Sequence, residues 1–231
     1  MLTLRVDDHD MAYIALGSGP PLVAIHGSLG DFRSWAPVMG PLSRKHRLIV
    51  PSLRHFFPEI LDGKGWRFTI PQHPADVIAF IEGLRLGPVH LMGHSRGGHI
   101  AFRVAEERPD LVRKLILAEP GGELEASLLP PGQQASPARL ASIVEAAGMI
   151  AKGDIDGGLE HFVDRIDGPR TWARRPAATK QQRRDNAGTL VGRRIRTIAS
   201  TAASRTSSSG SRNRFCNRSK ALSPDRMKVV V

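Results

Sequence analysis

The run Gly93-His94-Ser95-Arg96-Gly97-Gly98 sets a serine between an apolar stretch, "VHLMGHS", and a helix-forming one, "RGGHIAFRVAEERPD". A serine hydroxyl is a weak nucleophile until a base stands beside it and takes its proton. The G-x-S-x-G spacing suits that chemistry for a steric reason. A serine on a sharp strand-to-helix turn sits in a strained backbone conformation, and side chains at the neighbouring positions would clash. The pattern alone is weak, and its bland alternative is an ordinary strand–helix turn. Its position between an apolar strand and a helix is the context that gives it meaning.

A second stretch, "AIHGSLGDFRSW" (residues 24–35), ends an apolar run with His26-Gly27 and continues into a loop of small residues. Backbone N–H groups there and at the serine turn could stabilise an oxyanion; the candidate donors are those of Ser28 and Arg96. His26, Gly27, Gly93, His94, Gly97 and Gly98 are expected to shape the turn and the loop. The plain alternative for this segment is a connection that uses glycine only for turning.

The base is harder to find. Of the nine histidines only His99 and His161 follow Ser95. His99 lies one turn into the helix and starts on the wrong side of the serine. His161, in "GGLEHFVDR", reads as a helix packing residue, with an inward-turned base as the sharper alternative. His26 and His94 more readily shape a site than take its proton. His9, His46, His55, His73 and His90 have no catalytic context.

These residues need a scaffold. "TLRV" and "AYIAL" flank the acidic turn "DDHD" and read as a hairpin. "PLVAIHG", "RLIVPSL", "VHLMGHS" and "VRKLILAEP" read as buried strands. "DFRSWAPVMGPLSRKH" reads as a helix interrupted by prolines. Val77, Phe80, Ile81 and Leu84 recur at helical spacing, with Gly87-Pro88 as the stop. Strand–helix alternation predicts an α/β class: a mostly parallel sheet with helices on both faces. From Gly121 the pattern turns helical, in "SPARLASIVEAAGMIAKGD", "IDGGLEHFVDRIDG" and "PRTWARRPAATKQQRRDNAGTL". The expected organisation is a core over 1–120, a helical cap or lid over 121–192 and a disordered Arg/Ser-rich tail over 193–231.

"GSGPPLVAIHGSLGDFRSW", "VHLMGHSRGG" and "VRKLILAEP" resemble, in order and spacing, the α/β-hydrolase superfamily. The resemblance covers residues 2–120 and makes 121–192 similar to the cap such enzymes insert after the sixth strand. It implies a triad in the order nucleophile, acid, histidine. Glu119, at the end of the sixth strand in "LILAEPGG", matches one of the two family positions for the acid; its bland alternative is a strand-end residue satisfied by nearby amides. Relatives that open epoxides or remove halides carry aspartate at the turn. Ser95 therefore implies acyl transfer on an ester, thioester, lactone, amide or a C–C bond beside a carbonyl. The implied route is an acyl-enzyme, with no cofactor and no metal.

The net charge of +11 is unevenly distributed. Residues 193–231 hold ten Lys and Arg against Asp225, giving +9, while the remaining 192 residues give +2. The near-neutral body predicts no specific nucleic-acid partner, and the tail has one aromatic, Phe215, for base stacking. No run approaches the roughly 20 apolar residues of a membrane span. One cysteine and the acidic amino terminus predict a cytoplasmic protein without a membrane partner. Composition leaves the oligomeric state open.

The resemblance implies a buried strand ending in an acid near residue 195, then another strand and a histidine loop. The tail has no histidine and one acid. The expectation is that the last strands and the triad histidine are missing, through a shift of reading frame near residue 192. The other two frames of the gene test it by restoring, or not restoring, a strand–acid–strand–His pattern. Two functions therefore stand: a serine hydrolase acting on a small carbonyl substrate, or a non-catalytic relative binding a small ligand under the cap.

Overall fold

The computed structural model describes residues 1–59, 61, 71–121, 137–191 and 227–230. Strands β1 (Leu2–Val6) and β2 (His9–Leu16) form the expected antiparallel hairpin. Val6 pairs with His9, which leaves Asp7 and Asp8 as the turn. Asp7 adopts φ 50, a left-handed value that a short polar side chain tolerates. Strands β3 (Pro21–Ile25), β4 (Arg47–Pro51), β5 (Val89–His94) and β6 (Val112–Ala118) run parallel, and with β7 (Met227–Val230) the sheet order is β1-β2-β4-β3-β5-β6-β7.

Both faces of the sheet are covered, and the period-2 alternation of its strands shows how. Val23, Ile25 and Ile49 face one cluster with Val77, Phe80 and Ile81 of α2 (Gln72–Leu84) and Ile100, Ala101 and Val104 of α3 (Arg96–Glu107). The intervening Leu22, Ala24, Leu48 and Val50 face a second cluster with Phe32 and Trp35 of a 3₁₀ turn, Phe32–Trp35. Met39 and Leu42 of α1 (Ala36–Ser43) complete that layer. Helix α2 ends earlier than Gly87-Pro88 suggests. Arg85 takes the left-handed closing position at φ 53 and bonds back to Glu82 O.

After β6 come α4 (Pro137–Ala151), α5 (Ile155–Asp167), α6 (Thr171–Arg174) and α7 (Ala177–Asp185). Ala146, Ala147, Ile150, Leu159, Phe162, Val163 and Trp172 give α4, α5 and α6 a shared apolar cluster, which Leu29 from the loop after β3 joins. Helices α4 and α5 cross closely because Gly158 carries no side chain: a Cβ there would stand 2.6 Å from Ile150 Cγ1 and 2.7 Å from Ala146 O.

Four residues of the tail are described. Met227–Val230 forms β7, parallel to β6 at the sheet edge, with Leu117 opposite Val229. An open parallel edge offers unpaired N–H and C=O groups, and the run "MKVV" carries two strand-favouring valines. A strand therefore does follow β6 in the sheet, but it is not a strand near 195 ending in an acid. The rest of the tail, including the segment near 195, lies outside the described residues. Among the described residues, no helix is long and apolar enough to cross a membrane.

Candidate functional site

Ser95 stands between the end of β5 and the first turn of α3, at φ 52 and ψ −121. For a non-glycine residue this is a sparsely populated conformation, costing about 1–3 kcal/mol, which only a surrounding structure can hold. Its own peptide groups supply part of that hold. Ser95 N–H donates to Ala118 O at 3.0 Å, and Ser95 O accepts from Gly98 N–H, His99 N–H and Gly121 N–H at 2.9, 3.2 and 2.7 Å. The turn is thus bonded to its own helix and to the end of β6.

The glycines act through close approach. A Cβ on Gly97 would stand 2.3 Å from Ile25 O and 2.5 Å from His26 O; one on Gly93 would stand 2.2 Å from Gly97 O. A Cβ on Gly98 would stand 2.9 Å from Pro120 Cα. Gly27 brings the loop after β3 against the turn: its missing Cβ would lie 3.2 Å from both His94 Nδ1 and Ser95 Cβ. The two stretches singled out from the sequence therefore meet at Ser95.

Ser28 follows Gly27, and the peptide between them is held from behind. Gly27 O accepts from Gly30 N–H at 3.3 Å and pairs with His26 Nδ1 at 2.9 Å. Leu53 N–H donates to His26 Nε2 at 3.0 Å, so the ring proton belongs on Nδ1, donating to Gly27 O. A trans peptide points its N–H away from its carbonyl, so this pair directs Ser28 N–H away from His26. Burial pushes His26 down to about 4 and keeps the ring neutral. Arg96 N–H, in the first turn of α3, is one of the helix N-terminal donors that no carbonyl of the helix can reach.

The candidate acid and base are placed apart. Glu119 follows β6 at φ 44, and its Oε2 lies 3.7 Å from His94 Nε2, an exposed pair beside Ser95. His161 Nε2 faces Ser142 Oγ at 3.2 Å and Glu145 Oε2 at 3.4 Å, both on α4; these contacts do not include Ser95. His73 lies buried against Phe56, and burial, then the nearby Arg96 charge, hold it well below its usual pKa. Among the described residues no group of three or more His, Cys, Asp or Glu could hold a metal ion. An open recess of about 480 Å³ on the helical segment, lined by Asp167, Thr171, Arg174, Arg175 and Pro176, includes none of the residues around Ser95.

The structure adds residues the sequence did not single out. Asp31 is fully buried and caps the 3₁₀ turn through Arg33 N–H at 2.8 Å. It also binds Arg33 Nη2 at 2.8 Å and Asn186 Nδ2 at 2.7 Å. The spacing of Asp31 before "FRS" carries an N-cap signal that could have marked it. Asn186 and its neighbours carried no such signal, because their partners lie some 150 residues earlier.

Comparison with known proteins agrees with this fold. Residues 20–154 match the family model described as the alpha/beta hydrolase fold. A pyrrolizixenacetamide deacetylase of Xenorhabdus hominickii is 30% identical over 118 residues, 51% of this chain and 44% of the relative. A soluble epoxide hydrolase of Corynebacterium sp. (strain C12) is 30% identical over 114 residues, 49% and 39% of the two chains. A thermophilic esterase from Thermogutta terrifontis, solved with malate bound, shares the fold at a TM-score of 0.60 and 21% identity, over 84% of this chain and 72% of that one. The chain spans between 34% and 44% of the length of the curated relatives it matches. With more than half of its residues inside the family model, this chain belongs to the alpha/beta hydrolase family.

Proposed function

We propose that the chain is a serine hydrolase of small carbonyl compounds, with Ser95 as nucleophile and the N–H groups of Ser28 and Arg96 as oxyanion donors. One observation carries the reading: Ser95, strained at φ 52, lies against the Gly27 loop and directly before the N-terminal donors of α3. Ser95 Oγ attacks the carbonyl carbon as its proton passes to a base. The oxyanion collapses, the leaving group departs with a proton, and water hydrolyses the acyl-enzyme. A serine forms an ester at this step, which favours acyl transfer over the chemistry named for the epoxide hydrolase relative. The deacetylase relative carries an acyl-transfer name. Helices α4–α7 serve as a cap that shapes the substrate pocket, and residues 1–120 serve as the core.

A second reading has its own support. His26 is committed to Gly27 and Leu53, and His161 to α4, so neither stands as the base. A non-catalytic relative binding a small ligand under the cap would look the same. A panel of short-chain p-nitrophenyl esters and thioesters separates the two. The hydrolase reading expects turnover that Ser95→Ala abolishes; turnover absent, or unchanged by that substitution, favours the binding protein.

A further inference from the structure

Helix α7 and the residues after it reach back to the loop after β3. Arg183 Nη1 donates to Ser28 O at 2.7 Å. Gln182 Nε2 donates to Ser34 Oγ at 2.8 Å and to Asp31 Oδ1 at 3.2 Å. Asn186 donates to Asp31 and accepts from Phe57 N–H at 2.8 Å. Leu29 adopts φ 57, a costly conformation for a bulky side chain, and is completely buried. It packs into the cluster of Ile150, Leu159, Phe162 and Trp172, so the helical segment holds it there.

Ser28 lies between two peptide planes. The carbonyl of the first, from Gly27, is held by His26 and Gly30. The carbonyl of the second, its own, is held by Arg183. With both planes fixed, the dihedrals at Ser28 are fixed and its N–H cannot swing. Loss of the Arg183 bond would free the second plane and leave the peptide that carries the Ser28 N–H held from one side only, by His26 and Gly30.

We propose that Arg183 is a positioning residue for the Ser28 N–H donor, so that the helical segment sets the oxyanion site as well as covering it. The inference rests on the serine-hydrolase reading above. It concerns geometry at Ser28, so it acts on the rate of attack at Ser95 and not on how tightly a substrate is held.

The test compares the full chain with Arg183→Met, Arg183→Lys and Arg184→Ala. Arg184, on the same helix as Arg183, binds Asp156 of α5 through Nε and Nη2 and does not share the Ser28 contact. The first readout is reaction of Ser95 with a fluorophosphonate, followed against inhibitor concentration. The second is hydrogen exchange of peptides spanning residues 26–34. Arg183→Met is expected to slow the limiting rate about tenfold to hundredfold, somewhat less than deleting a donor outright, with the half-saturating concentration unchanged. Loop exchange rises in the same variant. Arg183→Lys, which keeps a donor, restores the rate to within about threefold, and Arg184→Ala leaves both readouts at wild-type values. Should Arg183→Met fail to fold, Arg183→Leu, which also lacks a donor, takes its place with the same expectations. Equal rates for the Arg183 variant and wild type, or equal slowing by Arg184→Ala, overturn the proposal alone. A wild type that reacts nowhere overturns the serine-hydrolase reading and the proposal with it.

Discussion

Leu53 donates its backbone N–H to Nε2 of His26 at 3.0 Å, and that bond decides what this buried ring can do. The ring is neutral in the fold, at about 4, against an ordinary 6.5. The unfolded chain therefore binds a proton at His26 that the folded chain does not, and stability falls as pH drops from 6.5 toward 4. The contribution is on the order of 3 kcal/mol at full effect. Urea midpoints at pH 7 and pH 4 should fall further for the wild type than for His26→Asn, which has nothing to titrate. Equal falls would show that His26 is not held neutral.

Two glycines should fail in different ways. A Cβ on Gly97 meets the backbone carbonyls of Ile25 and His26, at the end of a central strand that cannot move aside. Gly97→Ala should cost about 3 kcal/mol or more in a urea melt. A Cβ on Gly27 meets His94 Nδ1 and Ser95 Cβ at 3.2 Å and His94 O at 3.3 Å, where a few tenths of an ångström suffice. Gly27→Ala should cost only about 1 kcal/mol. It should nonetheless slow phosphonate labelling about tenfold, by pushing the loop off the turn. Parallel losses in both readouts for both variants would contradict the geometry.

Asp76 and Arg54 form a buried bidentate pair, at 2.9 and 2.8 Å, that fastens the segment after β4 to α2. Arg54 also reaches Asp8, and Gln72 also bonds Asp76. Removing one partner leaves a buried charge, so Asp76→Ala should destabilise by about 3–5 kcal/mol. The exposed pair of Arg108 and Asp110 offers the contrast, since Asp110→Ala should cost under about 1 kcal/mol. Chemical denaturation of the two variants side by side checks both values.

The sequence made the scaffold legible where local pattern decides it. The hairpin at Asp7, the apolar strands β3 to β6 and the helices α2 to α5 all follow from alternation, spacing and turn residues. The Gly93-to-Gly98 run and the His26-Gly27 loop were legible because glycine is needed wherever backbones touch, and they do meet at Ser95. What the sequence concealed depends on distant partners. Arg183 and Asn186 sit in a polar run of the helical stretch with no local mark of a partner, yet they reach Ser28 and Asp31 across some 155 residues. The left-handed Leu29 is explained only by the helical cluster it enters. Strand β7 was hidden for another reason: four residues in an Arg/Ser-rich tail have no periodicity of their own and pair because β6 offers an edge.

On the proposed function, the turn at Ser95 presents an activated nucleophile. Intact-mass analysis of the full chain after incubation with a fluorophosphonate, with the adduct mapped by proteolysis, tests this most directly. One adduct per chain is expected, on Ser95, and none on Ser95→Ala. A folded wild type that stays unmodified while a known serine hydrolase reacts to completion, or an adduct on any other residue, would contradict it.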